Sequence, residues 1–364
     1  METDFNRCHS RIDVVRPSPG GYGIRYAAAV DSIYDLAQRA GVSPSTVSKA
    51  LRDDPRISAA TRARIKALAA EAGFTPSTAA QSLTTRRTMT IGVIVRDYAD
   101  PYNGLLVRGI ESTALRDGYQ LLVASTHEAA LRELDIARLF RQRRVDGMII
   151  VASHADEHHA QLDPSVPVVF VADHPEFVPS RPNAGLVTFD ETAAAQIATR
   201  HLLGLGHRRI AYVGVERALV SNANRMQGYA AAMEAAGLDI DRRLVVTSTR
   251  RDSAEAGAEG VGLVLPGQPT GIFFYNDLAA IGGLRALLDQ GVRVPEDVSV
   301  VGFDDLEISA LVTPPLTTMS QPRLEMGRIA TAALLAMIRG EAQNVRVNTA
   351  CTLIVRRSTA TPAG

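Results

Sequence analysis

Residues 32–51, SIYDLAQRAGVSPSTVSKAL, decide how the first ordered part of the chain folds. Ser32 can cap a helix, and Asp35, three residues on, completes a capping box. Ile33, Leu36, Ala37 and Ala40 then recur at i, i+3, i+4 and i+7, which makes one buried helical face. Gly41 ends that helix, because glycine tolerates the left-handed conformation at a helix end. After Val42 alone, Ser43 can cap a second helix whose first turn suits Pro44. Val47, Ala50 and Leu51 form its buried face. Pro44, Ser45, Thr46, Ser48 and Lys49 are left to point outward. Two short helices joined by a tight glycine turn make a helix-turn-helix, whose second helix can present its N-terminal residues to base edges in a major groove.

Working outward, a third helix is expected from Ser58 to Ala72, with Ile65, Leu68, Ala69 and Ala72 apolar and Gly73 as its stop. It would close a three-helix core. The alternative is a small helical bundle with no role on DNA. Pro44 has no side-chain donor, so base reading would fall on Ser45, Thr46 and Lys49, any of which can touch phosphate instead. Arg62, Arg64 and Lys66 are expected to face solvent or phosphate. Charge is uneven along the chain. The net charge is zero, yet residues 31–90 hold 9 Lys/Arg against 5 Asp/Glu, and residues 91–364 hold 26 against 31. A basic module is therefore joined to an acidic one.

Before this region, Pro17, Pro19, Gly20, Gly21 and Gly23 crowd an irregular stretch, and residues 1–30 are read as a flexible extension. Beyond it, strand-like runs alternate with amphipathic stretches. The runs include Ile91–Val95, Leu121–Ala124, Gly147–Val151, Val168–Val171, Ile210–Val213, Gly271–Phe274 and Val298–Val301. The stretches between them include Leu105–Leu115, Thr192–Leu203 and Leu278–Leu288. Alternation of this kind predicts an α/β fold with parallel sheets covered by helices. The region is long for one such sheet, so two similar lobes are expected. With no Trp and 5% aromatics, the core must be mostly Ala, Val, Leu and Ile.

The stretch SIYDLAQRAGVSPSTVSKAL, followed by ISAATRARIKALAAEAGFTPSTAAQSL, resembles the DNA-binding headpiece of the lactose-repressor (LacI) family. The resemblance implies a short hinge helix after the bundle, in Pro76–Leu83, that pushes Leu83 into the minor groove as an apolar wedge. It implies DNA contacts from Ser45, Thr46, Ser48, Lys49, Ser77, Gln81 and Leu83. Ser77 stands where the family commonly has asparagine, and Gln81 where it commonly has arginine. Both can still hydrogen-bond, but Gln81 removes a charge that would attract phosphate.

The remainder resembles the family's periplasmic-binding-protein-like core. The segments carrying the likeness include IGVIVRDYADPYNGLLVRGIE, RHLLGLGHRRIAYVG, NRMQGYAAAMEAAG, TGIFFYNDLAAIGGLRALL, VPEDVSVVGFDDLEIS and PPLTTMSQP. The likeness implies two Rossmann-like lobes joined by three crossovers, with an effector held between them. Ligands in open sheets sit beyond the carboxyl ends of the strands. The implied effector residues are Tyr98, Tyr102, Asn103, Arg225, Asn276 and Asp304. Asn276 can instead cap the next helix, and Asp304 can instead bridge or cap. Tyr102 and Tyr275 can stack on a ring. Phe274 stands where the family usually has a small residue and is expected to narrow the cleft or make it more aromatic, which keeps a nucleoside or purine open beside a sugar. Asp173 and His174 are candidates for the other lobe.

The organisation expected is thus an extension over 1–30, a headpiece over 31–74, a hinge and linker over 75–89, and an effector-binding and dimerisation domain over 90–358. The function implied is a DNA-binding transcriptional regulator, by default a repressor. Its partners would be a pseudo-palindromic double-stranded DNA operator, a small-molecule effector and a second copy of the chain. A homodimer is favoured because no heptad pattern marks the C-terminus. No cofactor or metal is expected. His158 and His159, after Asp156 and Glu157, are read as a solvated loop. No G-x-G-x-x-G follows a strand, and there is no Walker-type loop or G-x-S-x-G, so an enzyme is not expected. The alternative is a solute-binding protein for uptake. It predicts an export signal and no headpiece. The start of the chain is polar and no apolar run approaches the ~18 residues of a membrane helix, so a cytoplasmic protein is expected.

Overall fold

The structure, a computed structural model, describes residues 32–74, 87–127, 130–151, 159–172, 181–216, 219–250 and 252–363. The expected extension, and the hinge positions Ser77, Gln81 and Leu83, lie outside the described residues. So do Asp156, Glu157, His158, Asp173 and His174. Contacts divide the chain into two compact units, residues 1–81 and 82–364.

In the first unit, three helices form from the predicted signals: α1 (Ile33–Ala40), α2 (Pro44–Leu51) and α3 (Ala59–Glu71). The side chains of Ser32, Ser43 and Ser58 accept from the backbone N–H groups of Asp35, Thr46 and Thr61, so each helix begins on a serine cap. Gly41 ends α1 at φ 62°, as the turn requires. Leu36, Ala37, Ala40, Val47, Ala50, Ile65 and Ala69 are buried together. Leu51, Leu68 and Ala72 pack half-buried around them.

The second unit holds two sheets of the same order. The first runs β11–β5–β4–β3–β1–β2, from β1 (Thr90–Val95), β2 (Gln120–Ser125), β3 (Gly147–Val151), β4 (Val168–Ala172), β5 (Ala184–Phe189) and β11 (Arg346–Thr349). Every pairing in it is parallel. The second runs β12–β10–β9–β8–β6–β7, from β6 (Ile210–Val215), β7 (Val245–Ser248), β8 (Gly271–Phe274), β9 (Ser299–Asp304), β10 (Thr317–Ser320) and β12 (Thr352–Ile354). Only its β10–β12 pairing is antiparallel.

Helices α4 (Pro101–Arg116) and α5 (Ala130–Gln142) belong to the first sheet. Helices α6 (Glu191–Gly204), α7 (Leu219–Ala235), α8 (Ser253–Val264) and α9 (Asp277–Asp289) belong to the second, and α10 (Arg323–Arg339) returns to pack on α4. The chain therefore passes between lobes three times: from β5 into α6, from β10 into α10, and from β11 into β12. Glycines let helix pairs cross at backbone distance. A Cβ on Gly109 would strike the Leu324 carbonyl, and one on Gly327 would strike the Leu106 carbonyl, so α4 and α10 touch through reciprocal glycines. Strand β5, the interior strand β10 and the short edge strands β7, β11 and β12 add to the runs named from sequence.

Candidate nucleic-acid interface and ligand cleft

On α2, Val47 and Ala50 point into the three-helix core. Ser45 is exposed, and Pro44, Thr46, Ser48 and Lys49 are half-exposed around it, so the predicted outward face is present. The Thr46 hydroxyl shares a 2.9 Å hydrogen bond with Ser43, which steadies the first turn. Among the described residues, Lys49 makes no hydrogen bond or ion pair, and its ammonium remains available to an anion.

On α3, Arg64 and Lys66 are exposed and Arg62 is half-exposed, and each also reaches an acceptor within the unit. Arg64 Nη2 donates to the Ala40 carbonyl at 2.7 Å, and Arg62 Nη1 to the Asp54 carbonyl at 3.2 Å. Lys66 pairs with Asp53 at 2.7 Å. Arg62, Arg64 and Lys66 thus tie α3 to the end of α1 and to the 52–57 turn while their side chains still meet solvent. The cause is geometric: unpaired carbonyls at a helix C-terminus are strong acceptors for a nearby arginine.

In the second unit, the carboxyl ends of β1, β5, β6, β8, β9 and β10 converge on one cluster of polar side chains. Arg225, on α7 after β6, is its centre, 4% exposed. Its Nε and Nη2 donate to Glu191 Oε1 at 2.9 and 2.6 Å, and its Nη1 to the Tyr275 carbonyl at 2.5 Å. The guanidinium lies 4.4 Å from the Tyr275 ring centroid and 3.8 Å from that of Phe303, close enough for cation–π attraction. Burial works against the charge, but Glu191, Tyr275 and Asp304 together outweigh it, Glu191 foremost among them, so Arg225 stays firmly protonated. A guanidinium carries five N–H donors, and three are committed here, which leaves two for a ligand.

Asp304 ends β9 with Oδ1 3.9 Å from Arg225 Nη2, and it accepts from Gln321 Nε2 at 2.8 Å. Its φ of 120° is a strained conformation for a non-glycine residue, the kind held at functional positions. Burial pushes its carboxyl well above the usual carboxylate range, against the pull of Arg225 and with help from Asp277.

The remaining predicted residues separate. Asn103 is 4% exposed, with Nδ2 donating to the Asp97 carbonyl at 2.7 Å and Oδ1 buried without a partner among the described residues. Tyr102 follows Asp100, the cap of α4, and its ring lies 5.6 Å from the Arg323 guanidinium. Tyr98 is 57% exposed. Asn276 caps α9, accepting from the Ala279 N–H at 2.9 Å, so its carbonyl oxygen already serves the helix.

Phe274 corrects the sequence reading. It is fully buried in the core between sheet and helices, its ring against Gly283, and it does not narrow the cleft. Strand alternation turns it away from the side of Tyr275. His159 is a second correction. It is 1% exposed, its Nε2 is 2.8 Å from Glu133 Oε1, and its ring packs on Phe170, so it is a core histidine and not part of a solvated loop.

Glu191, Gln321 and Arg323 were not singled out from sequence, yet all three sit in the cluster. Each lies within three residues of a strand end at a lobe crossover, which is the signal that could have found them. A cavity of about 410 Å³ beside α5, lined by Arg138, Arg141 and Asp163 among others, lies apart from this cluster, and Arg141 there is neutralised by Asp163.

Asp277, next to Asn276, is fully buried and accepts from Leu306 N–H, Ser309 Oγ and Thr318 Oγ1 at 2.8, 2.5 and 2.5 Å. It clamps the segment after β9 in place. Burial pushes its carboxyl from 3.8 up to about 6 despite these donors. The folded protein thus holds the proton more tightly than the unfolded chain. Stability from this group is complete below pH 3.8 and is lost as pH rises to about 6. Asn at 277 does not titrate. The unfolding free energy of the wild type minus that of Asp277→Asn should therefore fall by roughly 3 kcal/mol between about pH 4 and 7. Urea melts across that range would show it, and a pH-independent difference would refute it.

Among the described residues, no helix is long and apolar enough to cross a membrane, and no group of three or more metal-binding side chains occurs.

Residues 32–77 match the family described as bacterial regulatory proteins, lacI family, and residues 199–359 match a periplasmic binding protein-like domain. The chain is 34% identical over 303 residues to the HTH-type transcriptional regulator DegA of Bacillus subtilis, covering 81% of this chain and 88% of that protein. It is 33% identical to the HTH-type transcriptional repressor CytR of Escherichia coli, covering 89% and 95%. The ribose operon repressor of Escherichia coli is 32% identical, covering 84% and 92%. Among solved structures, a lac repressor dimer bound to operator and the anti-inducer ONPF superposes with a TM-score of 0.81 at 27% identity, covering 90% of this chain and 99% of that one. A complex of the transcriptional regulator CelR with cellobiose gives a TM-score of 0.65 at 29% identity, with the same coverage.

Proposed function

Because the chain belongs to the lacI family of bacterial regulatory proteins, we propose that it is a repressor whose grip on a symmetric operator is set by a small molecule held at the convergent strand ends. Membership makes it a DNA-binding transcriptional regulator. The repressor sign, the operator symmetry and the effector are our reading. Two copies, joined through the larger unit, would match a pseudo-palindromic duplex. Ser45, Thr46, Ser48 and Lys49 would meet bases and phosphates. Ser77, Gln81 and Leu83 would act as the hinge that the family resemblance assigns. Tyr102, Asn103, Arg225 and Asp304 would hold the effector, with Glu191 fixing the arginine. A sugar is the first candidate, given the ribose operon repressor and the cellobiose complex among the relatives, and a nucleoside or purine is the second. Such a protein works in the cytoplasm and catalyses nothing.

The observation that carries this reading is the outward face of α2, four polar side chains over a closed helical core within the stretch matched to the family. An uptake protein would have no use for that face. Nuclease footprinting on the DNA upstream of the protein's own gene tests it, at moderate salt. A protected site with two-fold symmetry is expected. Protection without symmetry, or none with or without sugars and nucleosides, would contradict the reading.

A further inference from the structure

Arg323 opens α10 directly after the β10 crossover and is 2% exposed. Its Nη2 donates to the Asp305 carbonyl at 2.9 Å. Its Nε and Nη1 are buried and meet no hydrogen-bond acceptor among the described residues. Nearby, Arg225 and Arg356 are each paired, with Glu191 and Asp305 at 2.6 Å. Arginine cannot shed its proton to escape such a site, and a buried charge without partners is costly. Asp304 is close enough to feel the charge of Arg323. Burial favours its neutral carboxyl, and it spends Oδ1 on Gln321. Two acceptors also lack donors among the described residues: Gln321 Oε1, two residues before Arg323, and Asn103 Oδ1, on the residue after Tyr102, whose ring faces Arg323 at 5.6 Å; Gln321 and Asn103 are 3% and 4% exposed.

A lobe tether would need only the bond to Asp305. Nη2 gives one of its two hydrogens to Asp305, so its second hydrogen, together with the idle Nε–H or an idle Nη1–H, forms the fork that a carboxylate or phosphate oxygen pair fits. The idle oxygens of Gln321 and Asn103 accept hydroxyl protons. We propose that the effector is a polyhydroxyl compound bearing one oxyanion group, held by Arg323, with hydroxyls donating to Gln321 and Asn103. This deepens the effector reading above and rests on it. A neutral sugar would leave the guanidinium as it is, so the anionic member of a matched pair should bind better.

The test uses full-length protein, calorimetry and thermal melting, with glucose against gluconate and glucose 6-phosphate, ribose against ribose 5-phosphate, and adenosine against its monophosphate. At least one anionic member should bind at least about tenfold more tightly than its neutral parent. Arg323→Gln and Arg323→Met should erase that preference, and Arg323→Lys should keep part of it. Without ligand, both uncharged variants should melt no lower than the wild type, because an unpaired buried cation has been removed. The carboxylate and phosphate arms separate the two sources of the oxyanion. Equal binding of a neutral parent, a preference surviving Arg323→Gln, or a lower melting point in Arg323→Met would overturn the inference. Neutral sugars binding without preference would leave the cleft reading standing. Failure of every compound to bind would count against both.

Discussion

Arg225→Met is expected to abolish ligand binding and to destabilise the larger unit by about 3–5 kcal/mol. The side chain sits between the rings of Tyr275 and Phe303 and faces Glu191 Oε1 with two of its nitrogens. Methionine fills much of the same volume, so packing loss is the smaller effect. The larger one is that Glu191, 0% exposed, keeps its carboxylate but loses the guanidinium beside it. Removing one partner of a buried pair costs far more than removing both. Arg225→Met with Glu191→Gln should therefore recover most of the stability while ligand binding stays lost. Urea unfolding of the three variants separates the two effects. If the double variant binds ligand, Arg225 is a structural residue and the cleft assignment fails.

The second large effect is expected at Leu36→Ala. Leu36 is 0% exposed at the centre of the three-helix core. Leucine-to-alanine changes at such positions cost about 2–5 kcal/mol. A single core of this size supplies no more than roughly 3–5 kcal/mol in all. The small unit should therefore be largely unfolded, and operator binding lost by on the order of a hundredfold or more. The larger unit has its own core, so its melting transition and ligand affinity should not change. Gel-shift titration beside calorimetry tests both halves of the statement. Undiminished DNA binding would show that the DNA contacts lie elsewhere.

The small unit was legible in the sequence because its signals are local. Ser32, Ser43 and Ser58 begin helices within three residues of what they cap, and Gly41 ends one at the position it occupies. The α/β alternation was legible because long apolar runs and amphipathic stretches each carry their own period. The cleft was legible only in part. Arg225 and Asp304 come together, but Glu191 lies 34 residues from the arginine that it fixes, and only the crossover after β5 joins them. Phe274 was misread because a strand buried on both faces has no polar alternation to tell its two sides apart. His159 was misread for a related reason: polar neighbours in sequence said nothing of Glu133, which folding brings beside it. That Arg62, Arg64 and Lys66 also reach the carbonyls of Ala40 and Asp54 and the carboxylate of Asp53 was not legible, because folding alone brings those acceptors beside α3.

A ligand can change the hold on DNA only by the difference in its affinity for the two forms of the protein. The decisive measurement is therefore the dissociation constant for the footprinted duplex, by fluorescence anisotropy at fixed salt, with and without a saturating effector from the melting panel. The prediction is a shift of about 5- to 150-fold in the wild type, and none in Arg225→Met. The same constant in both proteins, whatever is bound at the strand ends, would contradict it.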